Sequence, residues 1–165
     1  MIEISDSALR KAASEGMDEF IRVFTDKYLE AVNGKLTADT MNLLTGEQHS
    51  LLSYHIFREE IMVGGFCQLI QNGYGGYIFD NPFAKAMRLW GAKDFSKLLY
   101  RAKEIFDANR EDLEKERTEE EFMAMYEQYE AFDDLEEEFF EMEEAVTATI
   151  ASYVDYHLDV FGKIV

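Results

Sequence analysis

The sequence predicts an all-α fold, in one compact domain of about six to eight helices. Proline occurs only once, at Pro82, and five of the ten glycines lie between Gly64 and Gly76. Long helices are therefore possible on either side of that segment. Apolar residues recur at steps of three or four along most of the chain, and no segment shows sustained alternation of apolar and polar residues. That spacing is typical of helices with one buried face.

Residues 1–44 are predicted to form the N-terminal helices. A first helix is expected to begin after one of the capping residues at positions 5–7 and to carry a single apolar stripe from Leu9 to Val32. The Asn33-Gly34 pair favours the left-handed backbone that ends a helix. A short helical turn is expected over residues 37–44.

A second helical segment, residues 45–161, begins at a capping box formed by Thr45 and Gln48. The helix behind it is apolar around much of its circumference, which predicts that it is the most buried of all. Gly64 and Gly65 are expected to interrupt or bend it. Residues 72–77 include three glycines and are predicted to form a loop.

The remaining helices follow from similar signals. Pro82 is suited to the first turn of a helix that Gly91 ends, and an apolar stripe from Phe95 to Phe106 predicts the next one. Thr118 and Glu121 form a second capping box. The last helix is expected to start near Asp133 and to keep one apolar stripe to residue 157.

The sequence gives no indication of a catalytic residue, metal site or cofactor. His55 and Glu59 share a helix face and could both bind a metal, but no third ligand clusters with them, which favours a core histidine. Cys67 lies among apolar residues and is interpreted as a small buried hydrophobe. As the only cysteine, it also excludes an internal disulfide.

Acidic residues are concentrated in one stretch of the chain. Residues 104–144 hold 19 acids and 3 bases, so they carry −16 of the formal net charge of −18. A sequence pI of about 4.4 argues against direct binding to nucleic acid or to an anionic membrane. The N-terminus lacks a signal peptide and no apolar run is long enough to span a membrane, so a cytoplasmic location is expected.

The densest part of this stretch predicts a partner-binding surface on the last helix. It comprises eight acids and one aromatic residue: Asp133, Asp134, Glu136, Glu137, Glu138, Phe140, Glu141, Glu143 and Glu144. On a helix the acids would lie about 2.2 Å apart along the axis, against about 1.7 Å per charge in duplex DNA. A solvated face that only maintains solubility is the alternative interpretation.

Four of these acids should form a ridge opposite the apolar stripe: Asp134, Glu137, Glu141 and Glu144. Phe140 lies about 100° from Phe139 on the helix, so both cannot lie at the centre of the buried face. Phe140 is therefore either an aromatic anchor for a protein partner or a residue packed under the preceding acidic helix.

The segment from Thr45 onward resembles a bacterial family of DNA-mimic proteins, otherwise filed as a domain of unknown function. The resemblance spans about two thirds of the chain. The first similar features are the Glu59-Glu60 pair and a turn formed by Gly64, Gly65, Phe66 and Gln68. The other similar features are Asn72-Gly73, residues 86–92, 98–106 and 132–139, and Tyr153. Residues 60–63 depart from the family's usual sequence of an acid, valine and two asparagines.

The resemblance implies an all-helical, non-enzymatic homodimer. It further implies that such a protein occupies the DNA site of a basic regulator, for example a helix-turn-helix protein. A second class of function also fits the sequence: a small enzyme or a ligand- or metal-binding protein with a site near Gly64–Tyr77. A pocket lined by His55, Glu59, Gln68 and Tyr74 would favour that alternative, whereas a continuous carboxylate surface would favour the first.

Overall fold

The computed structural model describes all 165 residues and confirms the all-α fold. Nine α-helices account for most of the chain: α1 (Asp6–Glu15), α2 (Met17–Ala31), α3 (Gly46–Gln71), α4 (Gly75–Phe79), α5 (Phe83–Leu89), α6 (Lys93–Glu114), α7 (Glu119–Gln128), α8 (Asp133–Tyr156) and α9 (Leu158–Phe161). Two short 3₁₀ turns cover Met41–Leu43 and Glu130–Phe132. None of the helices combines the length and apolar character that crossing a membrane requires.

The chain divides into two compact units. Unit 1 comprises residues 1–55 and 144–165, and unit 2 comprises residues 56–143. Unit 2 is therefore one continuous piece of chain, whereas unit 1 is assembled from two separate pieces.

The N-terminal part of unit 1 corrects the expectation of a single first helix. Gly16 has a backbone conformation that residues with a side chain rarely adopt (φ 155°, ψ 170°), and it separates α1 from α2. Most of the predicted stripe is nevertheless buried, but Ala13 and Met17, on either side of the break, are exposed. The predicted helix end is confirmed, since Asn33 and Gly34 both adopt positive φ.

Unit 1 is held together by hydrogen bonds from buried side chains. The Tyr28 hydroxyl donates to the carbonyl of Phe161 at 2.6 Å, and the Gln48 amide donates to the same carbonyl at 3.3 Å. The Tyr54 and Thr147 hydroxyls are 2.7 Å apart. These ties satisfy polar groups that would otherwise be costly to bury.

Two short strands also belong to unit 1, and the sequence did not predict them. Strand β1 (Glu3–Ile4) pairs in parallel with β2 (Lys163–Ile164). Strands of two residues are too short to show any alternation, so no sequence pattern could indicate them.

Unit 2 has a core built mainly from phenylalanines. The ring of Phe57 on α3 lies 5.6 Å from Phe66, 5.2 Å from Phe95 on α6 and 5.0 Å from Phe139 on α8, measured between centroids. These are edge-to-face arrangements, which aromatic pairs favour. The Phe139 contacts fix which face of α8 is buried.

Both predicted capping boxes are present. Thr45 and Gln48 exchange side-chain and backbone hydrogen bonds of 2.9 and 3.2 Å, and Thr118 and Glu121 do the same ahead of α7. The predicted loop over residues 72–77 is partly wrong, because α4 begins at Gly75. An added Cβ on Gly75 would lie 2.7 Å from the ring of Phe106, so the absence of a side chain lets this short helix pack closely on α6.

Candidate functional site

The predicted partner-binding surface begins at the N-terminus of α8. Leu135 and Phe139 are buried on one side of this helix, so the opposite side must face solvent. The four ridge residues, Asp134, Glu137, Glu141 and Glu144, are all exposed, as the spacing predicted, and so is Asp133. None of the four forms an ion pair or accepts a hydrogen bond from the rest of the chain. Their carboxylates are available to a partner.

Glu136 is a correction to the predicted surface. Its carboxylate turns toward α3 and accepts a hydrogen bond of 2.9 Å from the backbone N–H of Phe66. Burial raises the pKa of Glu136, and the Phe66 N–H opposes that shift. The residue stabilises the glycine turn instead of contributing to an open acidic face.

Two further predicted acids are also engaged within unit 2. Glu143 pairs with Arg58 of α3 at 2.5 Å, and both side chains are mostly covered. Glu138 pairs with Arg101 of α6 at 2.9 Å and is more exposed. These two ion pairs connect α8 to α3 and to α6. The carboxylates of the ridge therefore remain without ion pairs.

Phe140 lies beside the ridge and is 47% exposed. The sequence left open whether it packs under the preceding acidic helix or faces outward. Its exposure favours the second interpretation, because a covered aromatic ring would be mostly buried. A half-exposed phenylalanine among carboxylates offers a partner an apolar contact within a charged surface.

The predicted glycine turn lies within α3. Gly65 (φ 73°, ψ −168°) interrupts the helix, and the Tyr126 hydroxyl of α7 donates to the carbonyl of Gly64 at 2.9 Å. The amides of Gln68 and Asn72 donate to Glu60 at 2.7 and 3.0 Å. Gly73 adopts φ 88° and ends the helix.

The residues named for the alternative ligand site differ in how far they are buried, and one of them is already hydrogen-bonded to another side chain. Gln68 is committed to Glu60, Glu59 is exposed, and Tyr74 is half-buried. No three His, Cys, Asp or Glu side chains are grouped so that they could hold a metal ion. Cys67 is 2% exposed, and burial raises the pKa of its thiol to about 12, as expected of a small buried hydrophobe.

A cluster around Asp112 was not predicted. The Tyr129 hydroxyl donates to this carboxylate, and Lys115 and Arg117 each pair with it at 3.0 Å. The hydrogen bond from Tyr129, followed by that from Lys115, lowers the pKa of Asp112 to about 2. The cluster joins α6 to α7 and fixes the connection that precedes the acidic surface.

One stretch of unit 2 is rich in bases. Residues 81–103 contain six bases and one acid. Four of these bases are exposed and form no ion pair: Lys85, Arg88, Lys93 and Lys97. Exposed bases without ion pairs therefore occur on α5 and at the start of α6, whereas α7 and α8 contain acids and no bases.

Fold and surface together define an all-helical acidic protein with a concentrated face of unpaired carboxylates. The chain belongs to the DMP19-like protein family, whose model matches residues 42–157. The resemblance stated from the sequence is thus confirmed. A stretch of 76 residues is 36% identical to the DNA mimic protein DMP19 of Neisseria meningitidis serogroup B (strain ATCC BAA-335 / MC58). That stretch is 46% of this chain and 46% of the relative, so the match spans about half of either protein.

Proposed function

We propose that this chain is a non-enzymatic DNA mimic whose acidic surface occupies the DNA-binding site of a basic protein, such as a helix-turn-helix regulator. One observation carries the proposal: the ridge on α8 presents exposed carboxylates without ion pairs, in a chain that has bases available elsewhere. The relative's name as a DNA mimic protein supports the same role.

The energetics of the ridge favour a function in binding. Like charges three or four residues apart destabilise a helix by about 0.2–0.5 kcal/mol per pair. The ridge contains three such pairs, and neighbouring acids of α8 add more. A face selected for stability would alternate acids with bases, whereas this helix has no base at all. A partner with arginines and lysines would relieve the repulsion on binding.

The test replaces the ridge with neutral residues of similar shape: Asp134→Asn, Glu137→Gln, Glu141→Gln and Glu144→Gln. The matched control changes four exposed acids that also form no ion pair: Glu15→Gln, Asp26→Asn, Asp39→Asn and Glu47→Gln. Both variants have a net charge of −14, so any effect of overall charge is equal in the two.

The partner is first captured from an extract of the native host at low salt, released with salt and identified. Its affinity for the wild type and both variants is then measured by calorimetry at two salt concentrations. Loss of four charge contacts should weaken binding by the ridge variant about thirtyfold. The control variant should bind like the wild type. Duplex DNA containing the partner's binding sequence should compete with the wild type.

An affinity that neither the ridge substitutions nor salt alters would contradict the proposal, because charge-driven binding must be screened. If DNA does not compete for the partner, the proposed mimicry is wrong, although the acidic surface would still be a binding surface for that partner.

We also propose that the protein is a homodimer in the cytoplasm, where DNA-binding regulators act. The homodimer is what the resemblance to the DNA-mimic family implies. Light scattering should give twice the chain mass of 19.2 kDa. A single species of 19.2 kDa at micromolar concentration would contradict this.

A further inference from the structure

Three apolar residues of unit 2 are exposed on α3 and on α8, the helix that carries the acidic ridge. Met62 and Val63, on the turn of α3 that precedes the glycines, are 50% and 77% exposed, and Phe140 on α8 is 47% exposed. Single exposed apolar residues are common on protein surfaces and carry no meaning alone. A contiguous group of them indicates an interaction surface.

Two contacts between α3 and α8 place these residues side by side. Arg58 pairs with Glu143, and the backbone N–H of Phe66 donates to Glu136. Met62 is four residues from each α3 contact, and Phe140 is four and three residues from the α8 contacts. Met62 lies one helical turn of about 3.6 residues after Arg58, and Phe140 lies one turn before Glu143. The Phe66 contact lies beyond the glycine break and shows that the two helices run antiparallel, so the Arg58–Glu143 pair brings Met62 and Phe140 to the same seam.

The glycine break explains why this turn is uncovered. Gly65 leaves the helical conformation directly after Met62, Val63 and Gly64, so the helix changes direction there. We call Met62, Val63 and Phe140 the apolar patch.

Exposed acids border the apolar patch on both helices. Glu59 lies one turn before Val63 on α3, and Glu137 and Glu141 lie next to Phe140 on α8. None of the three forms an ion pair. A second copy related by a two-fold axis would place the same acids against one another, which like-charge repulsion opposes. A partner surface that complements the apolar patch and its bordering acids therefore has apolar residues flanked by cations.

We infer that the apolar patch docks one face of a basic amphipathic helix, whose apolar residues at i, i+3 and i+4 contact Met62, Val63 and Phe140 while its lysines and arginines reach Glu59, Glu137 and Glu141. A single helix presents apolar anchors at that spacing over an area of this size. The inference rests on the proposed function and names the chemistry of the partner's contacting element.

The probes are two synthetic peptides of about five helical turns with identical leucine, lysine and arginine content. One has its leucines on a single helical face, and the other has them dispersed around the helix. Their affinities are measured by calorimetry at low salt and at about 1 M salt, where the Debye length is about 3 Å. The patch variant is Met62→Ala with Phe140→Ala. The control variant, Leu43→Ala with Leu89→Ala, truncates two apolar residues outside the patch that are 54% and 67% exposed.

The wild type should bind the amphipathic peptide about tenfold more tightly than its isomer. This preference should persist at high salt, disappear in the patch variant and remain in the control variant. Equal binding of the two peptides by the wild type, or no binding of either, would overturn the inference. So would conversion of a wild-type dimer to a monomer by the patch substitutions, because the patch would then belong to a second copy.

The ridge variant separates this inference from the proposed function. It should weaken both peptides equally at low salt and keep the preference between them. If it leaves both affinities unchanged, the charge-based proposal fails, while a retained preference still supports the apolar patch. If the ridge matters and the wild type shows no preference, the inference alone is wrong.

Discussion

Gly65 should tolerate no side chain, and the structure sets the size of the effect. Its backbone (φ 73°, ψ −168°) lies in a region that only glycine adopts readily. Forcing another residue into such a region costs about 1–3 kcal/mol. A Cβ would also lie 2.5 Å from a carboxylate oxygen of Glu136, well inside van der Waals contact.

The Glu136 side chain cannot move away without losing its hydrogen bond to the Phe66 N–H. A hydrogen bond to a charged group contributes about 1.5–3 kcal/mol. Alanine also reduces the conformational entropy of the unfolded chain, which raises the free energy of unfolding by about 0.4–1 kcal/mol. Gly65→Ala should therefore lower the free energy of unfolding by about 3 kcal/mol, and the melting temperature by about 10 °C.

Gly46→Ala is a matched control in the same helix. Nothing lies within 4 Å of an added Cβ at this position, and its φ is not in the left-handed region. The substitution should leave stability unchanged or raise it by up to about 1 kcal/mol. Urea unfolding, followed by circular dichroism, measures both variants.

A double-mutant cycle with Glu136→Ala separates the two contributions. Once the carboxylate is absent, Gly65→Ala should cost only the backbone strain. The two single effects should therefore sum to about 1.5–3 kcal/mol more than the double variant loses. If Gly65→Ala is no more destabilising than Gly46→Ala, the turn is not constrained as described. Strict additivity would show that Glu136 is not the contact that matters.

Three further outcomes can be measured. Glu136→Gln keeps a hydrogen-bond acceptor and removes a partly buried charge. Because the pKa of Glu136 is raised in the fold, the stability that its protonated form provides is present at low pH and is lost as pH rises. The variant should therefore have a higher melting temperature than the wild type at pH 7. The difference in melting temperature should shrink in acid. Asp112→Asn should remove a stabilisation that is present above the carboxyl's unfolded pKa near 3.8 and is lost as pH falls through about 2; melting curves across that window should converge with those of the wild type. Arg117→Ala should lower the free energy of unfolding by about 1.5 kcal/mol, since its side chain is only 3% exposed and donates to Asp112, which is itself 44% exposed. Arg10→Ala, on a largely exposed pair, should change the free energy of unfolding by less than about 0.5 kcal/mol.

Sequence patterns predicted most helices because each has a local signature. The capping boxes at Thr45 and Thr118 and the helix ends at Gly34 and Gly91 depend on residues within one turn of each other. Gly16 was missed because a lone glycine within an apolar stripe is compatible with a continuous helix. Its role is decided by how α1 and α2 pack, and spacing alone does not reveal that.

The exposed ridge was also predictable, since helical periodicity fixes which face of α8 is buried. The roles of Glu136, Glu138 and Glu143 were not, because their partners lie 37–85 residues away in sequence. The apolar patch was missed for the same reason. Met62 was expected to be part of the most buried helix, whereas its side chain is 50% exposed.

The separation of unit 1 into two pieces has a consequence for synthesis. Residues 56–143 emerge from the ribosome as an uninterrupted segment and can form their local contacts while translation continues. Unit 1 cannot be completed until residues 144–165 follow, since Tyr28 needs the carbonyl of Phe161 and β1 needs β2. Contacts between such distant residues form slowly. The segment that carries most of the acidic surface is therefore expected to acquire structure before the unit that contains both ends of this chain.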